Sequence, residues 1–387
     1  MAVQKRPKPI QALLWIIFYL AVIDISIGLL LPYPNNPSNV AVSPLRRYFE
    51  YGRSVEGKLD RMTGHSDQES APIVGAGWLG GKRFLERSNK HSGQTDVLVD
   101  VYGMSHVHLL GKAMSECDRN YVVRDVTAPG APANWAFAAY QLEKDRHAAD
   151  VVILGIMTDG VPLISSTAGT TMVFDMSYPY TYPRFILKGD EPCPIYPPFT
   201  TAAGYREYFY DDHKWAQYRQ WLSKYDKFYA PLLFRRTVLD RSCLVRLLRR
   251  AYAETLRRSH IRAVYTDKGF NPNSEEAIVL KRIVTEFARS ARRKNTIPVI
   301  YLVNTPGRSD HLFRLLKPVL DAENIPYLST HIICPPDNPL IFLPENTHFI
   351  PKKDKELAEE MIKIIEKERK RYSELAVKRV APRIPGG

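Results

Sequence analysis

Cysteine is scarce and scattered in this 387-residue chain: Cys117, Cys193, Cys243 and Cys334 form no Cys-x-x-Cys pair and no metal-ligand spacing. That argues against a zinc site or a dithiol redox centre, and no metal or other cofactor is expected. In an oxidising compartment one or two disulfides could form, but the spacing does not say between which residues. Repeats and low-complexity tracts are absent as well, so the length points to one main catalytic domain carrying a long insertion. After the apolar run near the N-terminus there is no convincing small-x-small cleavage site, because Pro32-Tyr-Pro-Asn-Asn-Pro follows at once. An uncleaved anchor is therefore expected rather than a removed signal peptide.

That run, Ile10 to Leu31, is long enough as a helix to cross the roughly 30 Å hydrocarbon layer of a bilayer. Lys5, Arg6 and Lys8 precede it, which places residues 1–9 in the cytoplasm and everything after Pro32 on the extracytoplasmic side of the cell membrane, as a single-pass protein. Asp24 lies inside the span, where a lone carboxylate costs about 2.5 to 3.5 kcal/mol. It meets a polar partner, is protonated or snorkels to an interface; a partner helix in the bilayer, supplied by a multispanning membrane protein, is one way to satisfy it.

Acidic residues fall short of basic ones by enough to give a formal charge of +13. The excess is concentrated: Arg235, Arg236, Arg241, Arg246, Arg249, Arg250, Arg257, Arg258 and Arg262 interleave with Leu244, Val245, Leu247, Leu248, Tyr252 and Leu256. This reads as an amphipathic helix with a basic face, which is either merely solvated or meets anionic lipid or an acidic polymer. Beside a membrane anchor, nucleic acid is not expected as a partner.

Residues 32–94 are rich in Pro, Ser, Gly and charge and read as a stalk and lead-in. From Thr95 the pattern alternates: strand 97–102, helix about 106–117, strand 121–126, helix about 133–142, strand 151–156. Leu109, Leu110, Ala113, Met114 and Cys117 form one buried stripe on the first of these helices. Successive units of this kind imply an α/β domain, a mainly parallel sheet covered on both faces. Regularity breaks from about 162 to 295, where a Pro- and Tyr-rich loop or hairpin is followed by helical stretches. It then resumes with strand 298–303, a helix around 310–323, strand 327–332 and a helix from Asp354 whose Leu357, Met361, Ile364 and Ile365 line one side. The domain is thus expected over residues 95–370, with a basic tail at 371–387.

Two places carry candidate chemistry. Gly103-Met-Ser105 follows a buried strand and opens a helix, so the serine hydroxyl stands at the carboxyl edge of the sheet. There, free backbone N–H groups and the helix dipole favour a developing oxyanion. Serine in such a place also simply caps helices. Far downstream, Glu345-Asn-Thr-His348 puts a carboxylate three residues from an imidazole, in a loop leading into the last helix. A serine hydroxyl needs a base to take its proton, and an imidazole fixed by an acid supplies one.

Over roughly 95–365 these blocks, in this order, resemble the SGNH (GDSL-type) hydrolases. The resemblance implies a three-layer α/β/α fold and a catalytic triad of Ser105 as nucleophile, His348 as base and Glu345, in place of the usual Asp, as the orienting acid. It assigns the oxyanion hole to the N–H groups of Ser105 and of Gly130 in Ala-Pro-Gly-Ala-Pro. The third block departs from the pattern: Gly155-Ile-Met-Thr-Asp159 stands where the family shows Gly-x-Asn-Asp. Thr158 is the candidate replacement donor, and losing one such donor typically costs about 10² to 10³ in rate.

An anchor ahead of such a domain is also similar in layout to the alginate-acetylation and teichoic-acid D-alanylation proteins, some of which act beside multispanning acyltransferases. The substrate expected is an acylated carbohydrate or other acyl ester, on which Tyr178, Tyr180, Tyr182 and Tyr196 could stack. The activity expected is that of a serine esterase or O-acyltransferase. The alternatives are an inactive scaffold of a membrane acylation complex and a basic polymer- or lipid-binding module.

Overall fold

Val97–Gly103 (β1) is buried at every position, as an inner strand covered on both faces must be. The computed structural model describes residues 9–34, 42–63, 77–79, 96–176, 178–344 and 347–380, the side chains of 375–380 excepted. Among the described residues three helices come before the sheet: α1 (Pro9–Leu30), α2 (Pro44–Glu50) and α3 (Val55–Thr63). The first half of the sheet follows as β1, α4 (Ser105–Cys117), β2 (Tyr121–Thr127), α5 (Ala133–Glu143) and β3 (Val151–Met157).

The chain then leaves the sheet through α6 (Gly169–Met172), the hairpin β4 (Arg184–Lys188) and β5 (Glu191–Ile195), α7 (Ala202–Phe209), α8 (Asp212–Tyr225), α9 (Pro231–Phe234), α10 (Cys243–Val264) and the short pair β6 (Tyr265–Thr266) and β7 (Gly269–Phe270). It returns with α11 (Glu275–Arg293), β8 (Ile297–Val303), α12 (His311–Ala322), β9 (Tyr327–Ser329) and α13 (Pro351–Val380).

The five long-range strands run in the order β2-β1-β3-β8-β9, all parallel. Side chains alternate between the two faces. On one face a methyl group at Gly111 of α4 would meet Val101 and Val123. On the other, Tyr102 packs edge-on against Tyr140 of α5, and Arg124 reaches Glu143 of α5. Helices α4 and α13 pack together on the first face, and α5 and α11 pack together on the second. The molecule is therefore an α/β protein with a parallel sheet flanked by helices. The strand order turns back between β1 and β3, and in such sheets ligands bind in the crevice outside the carboxyl ends of the strands at that point.

Several sequence expectations need correction. The stretch 42–63 is no stalk: Glu50, Ser54, Glu56 and Lys58 are buried, because α2 and α3 are fastened to the insertion by ionic contacts. Glu50 accepts from Arg246 at 3.0 Å and Arg61 at 2.7 Å, and Glu56 accepts from the Trp215 indole at 2.8 Å and Arg219 at 2.9 Å. Residues 35–41, 64–76 and 80–94 of that lead-in lie outside the described residues, while Trp78 and Leu79 are in the core.

The insertion ends before α11, which packs on β8 and belongs to the sheet's own helical layer. Strand β9 stops at Ser329, and a turn of 3₁₀ helix, Thr330–Ile332, takes the rest of that apolar run. Helix α13 starts at Pro351 and continues to Val380, so the basic tail is helical as far as it is described. All four cysteines are free thiols.

The arginine-rich segment is helical from Cys243, as α10; part of its charge turns inward, while Arg235, Arg236, Arg241, Arg258 and Arg262 stay exposed. Arg246 and Arg249 are buried, on Glu50 and Asp240, and Arg250 makes two bonds to Asp175, at 2.9 and 2.7 Å. Asp24 finds its partner within the same chain: its carboxylate accepts from the Leu244 N–H at 2.8 Å, in the first turn of α10. Two of the tyrosines proposed for sugar stacking, Tyr180 and Tyr182, are fully buried, whereas Tyr178 is half-buried and Tyr196 exposed.

Candidate active site

The site is built from three loops at the carboxyl edge of the sheet. Strand β1 ends at Gly103, whose φ of +155° and close packing both call for glycine. A Cβ there would come within 2.6 Å of Val107 Cγ2, and one at Gly155 of β3 within 2.0 Å of the same methyl. The two glycines let Val107, on the first turn of α4, drop onto the strand ends, which in turn fixes where Ser105 stands. Gly155→Ala is accordingly expected to destabilise the protein by about 1–3 kcal/mol through overpacking and to shift Ser105. Thermal unfolding measures the loss, and Val107→Ala in the same chain should restore most of it.

Ser105 is the first residue of α4 and caps nothing, since Met104 occupies the N-cap position without a side-chain bond. Its hydroxyl instead lies 2.6 Å from His348 Nε2. The sequence places these residues more than two hundred positions apart, and the fold brings them within hydrogen-bonding reach.

His348 sits on a narrow loop clipped at its base. An antiparallel bridge joins Phe342 to Phe349, the Leu343 N–H donates to the His348 carbonyl at 2.8 Å, and the Ile350 N–H donates to the Ile341 carbonyl at 2.9 Å. Glu345 and Asn346 lie outside the described residues. Burial pulls the His348 imidazole below its ordinary pKa, because desolvation penalises the cation. The ring is thus held in the neutral form a base requires.

Sequence reasoning missed His106. This residue is buried, and its ring lies against His348 with centroids 4.7 Å apart and against the edge of Phe349 at 5.7 Å. Its Nε2 is 2.9 Å from the Thr347 carbonyl. A carbonyl only accepts, so the proton is on Nε2, and Nδ1, buried without a partner, is bare. Burial lowers the His106 pKa to about 4. His106 is therefore a neutral clamp holding the loop that carries His348. Only its position beside Ser105 could have flagged it.

On the oxyanion side, the Ala128 N–H donates to the Gly103 carbonyl at 3.0 Å, which ties the turn after β2 to the serine's strand. Gly130 follows in a left-handed conformation, φ +63°. The Pro129 carbonyl accepts from the Tyr180 hydroxyl at 2.6 Å, so the buried tyrosine supports this turn. The N–H groups of Ser105 and Gly130 make no hydrogen bond among the described residues. Thr158 is in a different position from that expected: its buried hydroxyl donates to the Val303 carbonyl at 3.0 Å. It joins β3 to β8 and is not turned toward the serine as a side-chain donor. Asp159 next to it pairs with Arg308 at 3.1 Å.

No protein-family model, curated protein or solved structure matches this chain. What the site can do thus rests on its geometry. Among the described residues, no group of three or more His, Cys, Asp or Glu is placed to hold a metal ion. A hydroxyl on a neutral imidazole, at a helix start with two free N–H groups in neighbouring turns, is an arrangement suited to attack on a carbonyl carbon.

Proposed function

We propose that this protein is a membrane-anchored serine acyl-ester hydrolase or O-acyltransferase of the SGNH type. The observation that supports it most is the 2.6 Å contact of Ser105 Oγ with His348 Nε2. As the Ser105 oxygen bonds to the acyl carbon, its proton passes to His348 Nε2. The carbonyl oxygen takes up negative charge facing the Ser105 and Gly130 N–H groups, and the leaving alkoxide departs with the proton from His348. Water, or a sugar hydroxyl, then gives a proton to His348 as its oxygen bonds to the acyl carbon, and the Ser105 oxygen leaves with that proton, releasing an acid or a new ester. Glu345 is assigned to orient the imidazole. The substrate class is an acylated carbohydrate or cell-envelope polymer outside the membrane, reached by a domain held near the surface by α1, the one described helix long and apolar enough to span a bilayer.

Labelling with a fluorophosphonate, in wild type and in Ser105→Ala, tests the reading. The pH profile gives a second measure. Because burial holds the His348 pKa below the ordinary 6.5, the base form persists into mildly acidic solution. The acylation rate with an activated ester should climb with pH and level off as the imidazole loses its proton; a rate that does not change with pH would contradict an imidazole base.

One observation favours the scaffold reading: Thr158 is committed to Val303, which leaves the third oxyanion donor unfilled. A folded wild-type protein that takes up no probe would favour that alternative.

A further inference from the structure

Helix α1 is not a loose tether. Asp24 accepts from the Leu244 N–H at 2.8 Å, and α1 packs on α10. This contact fixes the depth of the domain. From Pro9 to Asp24 a helix covers only about 22 Å at 1.5 Å per residue, less than the roughly 30 Å of hydrocarbon that α1 must cross. If α1 spans, Asp24 lies below the outer boundary of the apolar layer, and the first turn of α10 is drawn down to the level of the headgroups.

The surface around that turn suits such a place. The Val238–Arg241 turn, α9 and α2 all pack on α10, and they present large apolar side chains to the outside: Val238 is 80 % exposed, Leu232 57 %, Leu45 53 % and Leu239 48 %. Leu248, one turn further along α10, is 71 % exposed. Cations flank them. Arg47 and Arg241 are exposed and Arg46 partly so, and among the described residues no carboxylate pairs with any of the three. The arginines that do pair with acids, Arg246 and Arg249, bolt the same elements together: Arg246 to Glu50 at the end of α2, Arg249 to Asp240. Elements that pack on the helix joined to α1 thus carry both exposed apolar side chains and cations without a carboxylate partner among the described residues.

We propose that this face, formed by the start of α10, α9, the Val238–Arg241 turn and α2, is seated in the headgroup layer of the bilayer that α1 crosses, against anionic phospholipid. Its apolar side chains reach the acyl boundary and the arginines contact phosphate, as interfacial elements do. Asp24 sets the depth. The inference rests on the membrane-anchored reading but not on any chemistry at Ser105.

The test uses the full chain reconstituted in vesicles, with Cys117 and Cys193, the two partly exposed thiols, replaced by serine. An environment-sensitive fluorophore is placed by Val238→Cys, Leu14→Cys within α1, or Ile332→Cys as an exposed apolar control beyond β9. Phospholipid spin-labelled near the headgroup is the quencher. In phosphatidylcholine–phosphatidylglycerol vesicles, position 238 should be quenched several-fold more than 332, and Arg47→Glu with Arg241→Glu, or phosphatidylcholine alone, should reduce that quenching. A fluorophore at 14 that is reached by lipid quenchers while 238 behaves like 332 overturns the seated face and leaves the anchor standing. If lipid quenchers reach neither 14 nor 238, both fall.

Discussion

Ser105→Ala is expected to lose all labelling by a fluorophosphonate and to unfold at the temperature of the wild type. The hydroxyl is the only group removed, and it makes no cap for α4, so the change touches the 2.6 Å contact with His348 and little else. His348→Ala should lose nearly as much. In a nucleophile–base pair that acts as a unit, each single deletion costs about as much as removing the whole set, on the order of 10⁶ in turnover in the best-studied serine hydrolase. His106→Phe separates positioning from chemistry. It keeps a ring against His348 but forfeits the bond to the Thr347 carbonyl, so the labelling rate should fall while the stoichiometry at completion stays the same. Equal labelling of wild type and Ser105→Ala would end the proposal.

Arg124→Met is expected to have the largest effect on stability. Arg124 is buried between Asp100, at 3.0 Å, and Glu143, with the Tyr102 hydroxyl donating to Asp100 at 3.2 Å. Desolvation raises the Glu143 pKa even with the guanidinium present. Without it, two carboxylates share a dry space beneath the sheet. Breaking a buried pair in this way costs about 3–5 kcal/mol, on the order of 10 °C in unfolding temperature for a domain of this size.

The sign of the pH dependence follows. In the variant Glu143, already raised by burial, keeps a folded pKa above its unfolded one, so the native state holds the extra proton. Stability then falls as pH rises through the ordinary carboxyl range and beyond. Thermal unfolding at pH 5 and pH 8 should show the larger deficit at pH 8. A deficit under 1 kcal/mol at both would mean the cluster does not hold β1, β2 and α5 together.

How far the chain could be read from its sequence depended on what buries each segment. Strands β1, β3 and β8 are near-continuous apolar runs, and inner parallel strands have no other pattern, so they were legible to within a residue. The pairing of Ser105 with His348 was legible because the one follows a recognisable buried strand and the other leads into the last helix. Helices α2 and α3 were not, because apart from Val55 and Leu59 their burial is largely ionic. Glu50, Glu56 and Lys58 look like surface residues until Arg246, Arg219 and the Phe174 carbonyl are brought to them by the fold. The same blindness hid the inward turn of Arg246 and Arg249, since a guanidinium facing water and one facing a buried carboxylate are the same letter. His106 gave no signal of its own, because its role depends on a loop more than two hundred residues later. Thr158 was misplaced because the sequence does not show that the Val303 carbonyl stands within reach of its hydroxyl.

The interrupted sheet bears on the order in which the molecule assembles. Val151 pairs with Ile297 and Met157 with Val303, so the central ladder stays open until the whole of α6 to α11 has emerged and found its own packing. Closing so long a loop before any pairing is gained makes for slow folding, and the exposed edge of β3 is meanwhile open to wrong partners. The loop bearing His348 comes later still. During synthesis Ser105 is thus present for most of the chain's length without His348, so on the proposed reading the newborn protein is chemically mute until its last helix docks.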